Sequence, residues 1–301
     1  MELYRRTWTG KALGTAVKLV VVTKDARAGD GALMRAAADL EGTEQALSRF
    51  RPESELGVLN REGTILAGPR LLTALRASIR AYEWSGGLLD PRVIDALEGF
   101  GYRGSLPKGD VGEVVARGPL DPTDMRAWTD EKEEGRITLP PNVRLDLAGV
   151  GKALGIGWAA SHLAGHAGLL VDVGGDVVAL GHDERDEPWR VAVDHDGLVG
   201  GFEGAALAVA TSTTRLRSWR AGGREAHHIM DPRTGAPSES DLAYATVAAP
   251  SILEADLAAK LLLIEGRHAA RSIGGSCRIV VTDREGETTS LEGRARTEAV
   301  A

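Results

Sequence analysis

Residues 168–181 read GLLVDVGGDVVALG, an apolar and β-branched run that contains the glycine pair Gly174–Gly175. The run predicts strand structure, and the glycines inside it indicate a turn, a bulge or a close approach of another segment. Two further strand patterns, WRVAVD (189–194) and AALAVATS (205–212), follow with no helical pattern between them. Because a doubly wound sheet needs strands and helices to alternate, the stretch favours the α+β class.

The remaining patterns place helices around these strands. Strand patterns also cover 15–23, 242–250 and 277–283, and helical patterns cover 31–50, 69–87 and 253–266. The polar segment 51–63 is interpreted as a break between the first two helices. We predict a single α+β domain over residues 1–301, with a mixed, largely antiparallel sheet core packed with helices. A surface excursion near 103–140 and a polar C-terminal tail from about 284 are expected.

The composition excludes several classes of protein. A net charge of −7 argues against broad nucleic-acid binding, and no apolar run reaches the length of a membrane span. The single cysteine, Cys277, excludes an internal disulfide and a cysteine-based metal cluster. Because no apolar stretch follows the N-terminal arginines, no signal peptide is recognised and a cytoplasmic location is expected.

The segment RLDLAGVGKALG (144–155) is the first candidate site. Small residues separate Asp146 from Lys152, and a helix is predicted to begin between them. The free N–H groups of a helix start, together with a lysine, suit a phosphate group. The alternative is an ordinary turn into a helix with a solvated lysine, since the segment matches no established phosphate-binding motif.

A second candidate lies in the predicted helix at 253–266. Asp256 and Lys260 are four residues apart in the sequence, so they share a helix face and can pair. A surface ion pair of this kind needs no function. However, Asp256 borders a predicted apolar stripe, where its carboxylate is also suited to hold a divalent cation.

The third candidate is EAHHIMDPRTGAP (225–237), in which His227 and His228 precede a turn sequence. Adjacent strand residues point in opposite directions, so the two imidazoles do not make a metal pair. One of them can face a site and serve as a general base, because imidazole titrates near neutrality. The alternative is that both belong to the end of a buried strand.

Taken in order, the motifs of this chain resemble those of the ApbE family, the FAD:protein FMN transferases, from residue 13 to about 266. The most specific block is HHIMDPRTGAP, which is similar to the family's His-Ile-x-Asp-Pro-x-Thr-Gly. The resemblance implies an ApbE-like, T-fold-like architecture. The other blocks are LGT (13–15), LSRFRPESELGVLN (47–60), GGLLDPRV (86–93), LDLAGVGKA (145–153), VDVGGDVVALG (171–181), VATS (209–212) and the helix that carries Asp256.

This resemblance implies a reaction and a set of site residues. The family cleaves the pyrophosphate of FAD and passes FMN to a threonine or serine hydroxyl of an acceptor flavoprotein, with release of AMP. His228 would be the base that takes the hydroxyl proton. The residues that would line the FAD site are Leu13, Phe50, Leu88, Leu89, Asp90, Asp146, Lys152 and Ile229.

The metal site that the resemblance implies departs from the family pattern. Magnesium would be held by a backbone carbonyl near Gly149 and by Asp256, but Lys260 occupies the position of a third ligand, a threonine in the family. The ammonium either takes the place of the cation or abolishes its site. Two alternatives therefore stay open: a catalytically weak or inactive FAD-binding protein on the same scaffold, and an FAD pyrophosphatase.

Overall fold

Eight strands form one continuous sheet at the centre of this computed structural model, which describes residues 3–104, 106–128 and 135–292. Neighbouring strands are antiparallel throughout the sheet, which confirms the predicted α+β class. Numbered along the chain and given in their order across the sheet, the strands are β1 (Tyr4–Ala12), β2 (Thr15–Thr23), β5 (Gly168–Val173), β6 (Asp176–Gly181), β9 (Ala206–Thr213), β14 (Leu242–Ala248), β15 (Arg278–Asp283) and β16 (Thr288–Glu292).

Short ribbons and helices complete the described structure. The two-stranded ribbons pair β3 (Thr64–Leu66) with β4 (Arg136–Thr138), β7 (Trp189–Asp194) with β8 (Leu198–Gly204), β10 (Ser218–Ala221) with β11 (Arg224–His227), and β12 (Met230–Asp231) with β13 (Ala236–Pro237). The α-helices are α1 (Ala26–Leu47), α2 (Glu55–Glu62), α3 (Pro69–Trp84), α4 (Ile94–Gly99), α5 (Ala148–Leu163) and α6 (Ile252–Glu265).

Both faces of the sheet are covered, and β2 shows the consequence. Its residues 19–23 are all buried, because alternate side chains enter two different cores. Leu19 and Val21 pack with α1 and α5 on one face, whereas Val20 and Val22 pack with Trp189 and Phe202 of the β7–β8 ribbon on the other. A strand that is covered on both faces therefore reads as an unbroken apolar run in the sequence.

The glycine pair in the opening stretch makes a tight turn. Gly174 and Gly175 have φ values of 64° and 90°, a region that glycine adopts without strain. The turn splits the predicted strand into the hairpin β5–β6, with Val173 opposite Asp176. It therefore sets Asp176 at the first position of a central strand, next to the helical layer.

Some predicted elements are wrong. The polar segment 51–63 contains helix α2, whose N-cap Ser54 accepts a hydrogen bond from Gly57. Part of the excursion near 103–140 is core rather than surface, because Met125 and Trp128 are buried in the cluster beneath α3. Residue 105 and residues 129–134 of that excursion lie outside the described residues.

The two ends of the chain add strands that the sequence patterns did not predict. The N-terminal β1 pairs with β2 along its whole length. In the polar tail expected from about 284, residues Thr288–Glu292 form β16 and close the other edge of the sheet; 293–301 lie outside the described residues. The single-domain organisation stays a prediction. Across the described ranges, no helix combines the length and apolarity that a membrane crossing requires.

A side-chain clasp fixes the segment that leads into α5. The Asn60 amide donates to the carbonyl of Leu145, and the Leu145 N–H donates back to Asn60 Oδ1, both at 2.8 Å. The next residue, Asp146, donates its N–H to the carbonyl of Pro91 at 2.7 Å. The start of α5 is therefore held between α2 and the Asp-Pro turn at residues 90–91.

We predict that Asn60→Ala destabilises the protein by about 1–3 kcal/mol, because it leaves both backbone groups of the buried Leu145 without partners. Urea unfolding at pH 7 measures the loss. Arg61→Ala is the matched control. Arg61 lies on the same helix, and its side-chain contacts among the described residues, with Glu62 and the Pro52 carbonyl, are exposed, so its loss should change stability by less than about 0.5 kcal/mol. Equal unfolding midpoints for the two variants would show that the clasp contributes nothing.

Candidate functional site

Two buried ion pairs lie where α5 and α6 pack over the sheet. Lys152 of α5 places its Nζ atom 2.5 Å from Oδ2 of Asp176, the first residue of β6. On α6, Lys260 pairs with Asp256 one turn earlier. The side chains of Asp176 and Asp256 are only 0% and 1% exposed, so neither carboxylate has water to replace its partner. Each buried carboxylate therefore depends on its lysine.

Local structure explains how each carboxylate comes to be buried. The glycine turn starts β6 at Asp176, whose Oδ1 accepts the N–H of Thr211 from the neighbouring strand at 3.0 Å. Helix α6 is buried on most of its surface rather than along the one stripe expected from sequence. Asp256 therefore lies among buried residues such as Ala255 and Ala259, and not at the edge of an exposed face.

The two pairs form one electrostatic cluster. Burial lowers the pKa of Lys152, but the carboxylates of Asp176 and then Asp256 outweigh burial and leave that pKa raised. Burial raises the pKa of Asp176, Lys152 opposes the rise, and the nearby Asp256 carboxylate adds to it. Lys152 consequently stays an ammonium between two carboxylates. The predicted phosphate-binding lysine and the predicted metal-binding aspartate are thus brought together.

His228 lies beside this cluster, immediately after β11. Its backbone N–H donates to the carbonyl of Arg217 at 3.2 Å. The side chain is half-buried, yet its Nδ1 atom is enclosed and has no hydrogen-bond partner among the described residues. Burial, followed by the positive charges of Arg217, His227, Lys260 and Lys152, lowers the pKa of His228 to about 3. The imidazole is therefore neutral at pH 7 and able to accept a proton.

The neighbouring histidine has a different role. His227 is buried, and its Nε2 lies 3.1 Å from the carbonyl of Ser238, so this nitrogen carries the proton and donates. Burial lowers the pKa of His227 to about 4. The interpretation of a structural histidine at the end of a buried strand therefore applies to His227. His228, in contrast, lies among charged groups.

An aromatic group lies beside the start of α5. Arg49 pairs with Asp146 through Nε at 2.9 Å, and its guanidinium lies over the rings of Phe50 and Tyr102, 4.2 and 5.1 Å from their centres. The Phe50 ring is 5.9 Å from that of Tyr102, which is in turn 5.5 Å from Trp219. Phe50 is 46% exposed, so part of its ring is free to contact a flat ligand.

The other predicted site residues are mostly enclosed. Asp90 is buried and forms an ion pair with Arg92 at 2.6 Å, so its carboxylate is occupied. Leu88 and Ile229 lie in one buried cluster, and Leu89 packs against it. Leu13 has φ 53° and donates its N–H to Glu44 at 2.7 Å. Gly149 lies at the start of α5, where an added Cβ atom would meet only open space, so a ligand can approach its backbone closely.

Two residues of the cluster were not identified from sequence as site residues. Asp176 is a carboxylate at the start of an apolar strand, and that position is itself a signal, because a buried charge requires a partner. Arg217 lies in the polar run Thr-Thr-Arg-Leu-Arg, which shows neither helix nor strand periodicity, so nothing in the local sequence marks it as a site residue.

The lowered histidine pKa values predict a stability loss in acid. His227 has a pKa of about 4 when folded and, by reference, about 6.5 when unfolded, so the unfolded chain binds more protons between these values. Stability should be full above pH 6.5 and fall by about 2 kcal/mol for His227 alone between pH 7 and 5. Urea unfolding of wild type and His227→Gln tests this. The variant should lose less stability on acidification, and equal losses would contradict the assignment.

Comparison with known proteins reveals relatives across nearly the whole chain. The ApbE family pattern matches residues 13–276. The FAD:protein FMN transferase of Klebsiella pneumoniae is 26% identical over 311 residues, covering 96% of this chain and 87% of that protein. The ApbE protein of Thermotoga maritima shares the fold, with a TM-score of 0.81, 20% identity and 98% of each chain covered. The flavin transferase ApbE of Vibrio cholerae also shares the fold, with a TM-score of 0.75, 22% identity and 97% of each chain covered. The chain belongs to the ApbE family.

Proposed function

We propose that this protein is an FAD:protein FMN transferase, which transfers FMN from FAD through a phosphoester bond to a threonine or serine of an acceptor flavoprotein. The observation that carries the proposal is the position of the neutral His228 beside the Lys152 and Lys260 ammonium groups. Family membership and the FMN transferase names of full-length relatives support it.

The pyrophosphate of FAD is proposed to bind at the start of α5. The open space at Gly149 allows a close approach to the helix N-terminus, whose N–H groups and dipole favour an anion. Lys152 and Lys260 are proposed to supply positive charge to it. These charges lower the energy of a transition state in which negative charge builds on the phosphate oxygens.

His228 is proposed as the general base. It takes the proton of the acceptor hydroxyl while that oxygen bonds to the phosphorus of the FMN half. The bond from this phosphorus to the bridging oxygen breaks, and AMP leaves with that oxygen. Burial and, after it, nearby cations lower the pKa of His228. An arriving phosphate anion would offset the charge of those cations and make the imidazole more basic.

The flavin ring is proposed to contact Phe50. The exposed part of that ring offers an aromatic surface, and Arg49 holds it beside Tyr102. Leu13, Leu88, Leu89, Asp90, Asp146 and Ile229 are proposed to form the surroundings of the cofactor. Because Asp90 and Asp146 are engaged with Arg92 and Arg49, their role is to shape the site rather than to offer free carboxylates.

Magnesium is proposed to bind together with the substrate. Among the described residues, no three His, Cys, Asp or Glu side chains are grouped to hold a metal, but Asp256 Oδ2 is buried without a hydrogen-bond partner. One carboxylate oxygen suffices for magnesium when phosphates and water complete its shell. Asp256 and the Gly149 carbonyl would hold it, and it would add positive charge at the pyrophosphate. Lys260 on the other Asp256 oxygen weakens such a site.

The acceptor is proposed to be a flavoprotein that exposes a threonine or serine for flavinylation. Neither nucleic acid nor a membrane is proposed as a partner. The cytoplasmic location stays a prediction.

The function is tested by incubating the protein with FAD, magnesium and a flavoprotein domain that carries a flavinylation threonine. We expect mass spectrometry to detect FMN on the domain and chromatography to detect AMP in equal amount. His228→Asn should slow transfer by about 100-fold or more, because the base is lost. His268→Asn, which alters an exposed histidine, is the control and should match wild type.

Two outcomes would contradict the proposal. One is the absence of adduct and of AMP in wild type, with and without magnesium. The other is equal transfer by His228→Asn and His268→Asn. AMP formed without an adduct would support the FAD pyrophosphatase alternative instead.

A further inference from the structure

Arg217 is an exposed arginine next to the buried cluster. It directly precedes β10, and the following residue, Ser218, lies opposite His227 in the β10–β11 ribbon. Its backbone carbonyl accepts the N–H of His228 at 3.2 Å. Its guanidinium forms no hydrogen bond or ion pair with any residue in 3–104, 106–128 or 135–292. By contrast, Arg215 and Arg220 on either side both donate to backbone carbonyls.

The charge of Arg217 acts on the site. It is close enough to repel a proton from both Lys152 and His228. The cations around the imidazole are Lys152, Lys260 and Arg217, and the carboxylates of the cluster are Asp176 and Asp256. Three positive charges minus two negative charges leave a surplus of one positive charge. In a chain with a net charge of −7, such a local surplus favours an anionic ligand at this point.

The chemistry of the two kinds of cation differs. The ammonium groups of Lys152 and Lys260 are engaged with buried carboxylates and act as fixed charges. A guanidinium presents a planar set of donors that binds two phosphate oxygens at once. The donors of Arg217 are free to do so, because no described residue occupies them.

We propose that Arg217 is a phosphate-binding residue that closes over the diphosphate of the bound nucleotide from the solvent side, opposite Lys152. This rests on the proposed function for the identity of the dinucleotide. It goes beyond that function by assigning a binding role to an arginine outside the predicted site residues.

The placement of Arg217 also links ligand binding to the base. Because the Arg217 carbonyl holds the His228 N–H, a phosphate bound by the guanidinium restrains the backbone on which the imidazole is mounted. Arg217 therefore contributes to binding and to the position of His228. Removal of its side chain should raise KM more than it lowers kcat, since the backbone bond survives the substitution.

The test is calorimetric titration of the full chain with ADP, comparing Arg217→Gln with wild type. The loss of charge-assisted bonds to phosphate should weaken ADP binding roughly 10- to 100-fold. Arg215→Gln is the matched control, because it removes the same charge from an exposed arginine two residues away and should change affinity less than about twofold. Arg217→Lys keeps the charge but not the planar donors and should fall between the two.

The outcomes separate this inference from the proposed function. If wild type transfers FMN but Arg217→Gln binds ADP as Arg215→Gln does, the function stands and the inference is overturned. If wild type binds ADP in an Arg217-dependent way but transfers no FMN, the inference stands and the function fails. A wild type that does not bind ADP overturns the inference. Thermal unfolding confirms that each variant is folded.

Discussion

The lysine–aspartate pairs between α5, α6 and the sheet are the constraint on which the rest of the site depends. Moving two carboxylates out of water costs several kcal/mol each, and only partners in the right geometry offset that cost. Lys152 and Lys260 supply those partners. Because a charge that moved away would leave its partner buried and unpaired, the Lys152–Asp176 pair fixes α5 against β6, and the Lys260–Asp256 pair holds both of its side chains in place along α6. Buried pairs of this kind contribute little net stability to the fold.

Burial and, after it, the cations of the same cluster set the protonation state of His228. An imidazole beside several cations stays neutral at pH 7, and a neutral imidazole has a free nitrogen with which to take a proton. The cations that depress its pKa are also those positioned to attract a phosphate. These cations make the free imidazole a weaker base, and a bound phosphate offsets their charge, so phosphate binding itself raises the basicity of His228. His227 shows the contrast, because its proton is committed to the Ser238 carbonyl.

The sequence predicted the elements that repeat a pattern and the residues that belong to an ordered set of motifs. The apolar run at β2 and the glycine pair Gly174–Gly175 predicted the sheet. The order of the motifs assigned Lys152, His228 and Asp256 to one site. It did not predict α2, whose short amphipathic turn is hidden among polar residues, or β16, a polar edge strand that pairing rather than composition stabilises.

Contacts between distant segments were beyond sequence reasoning. Asp176 pairs with Lys152 only because the hairpin carries it under α5, and no local pattern encodes that distance. The prediction that Asp256 lies at the edge of a stripe failed for a related reason. Helix α6 is covered on most of its surface by parts of the chain that its own period does not reveal. Arg217 lies in a stretch without helix or strand periodicity. Its proposed role is recognised only from its position beside His228 in the folded chain.

A crystal structure of the protein with bound FAD tests the central claim most directly. The account predicts that the pyrophosphate lies against the start of α5, within hydrogen-bond distance of the Lys152 ammonium, with the His228 imidazole facing the phosphorus of the FMN half. FAD bound on another face, with Lys152 in contact only with Asp176, would contradict it.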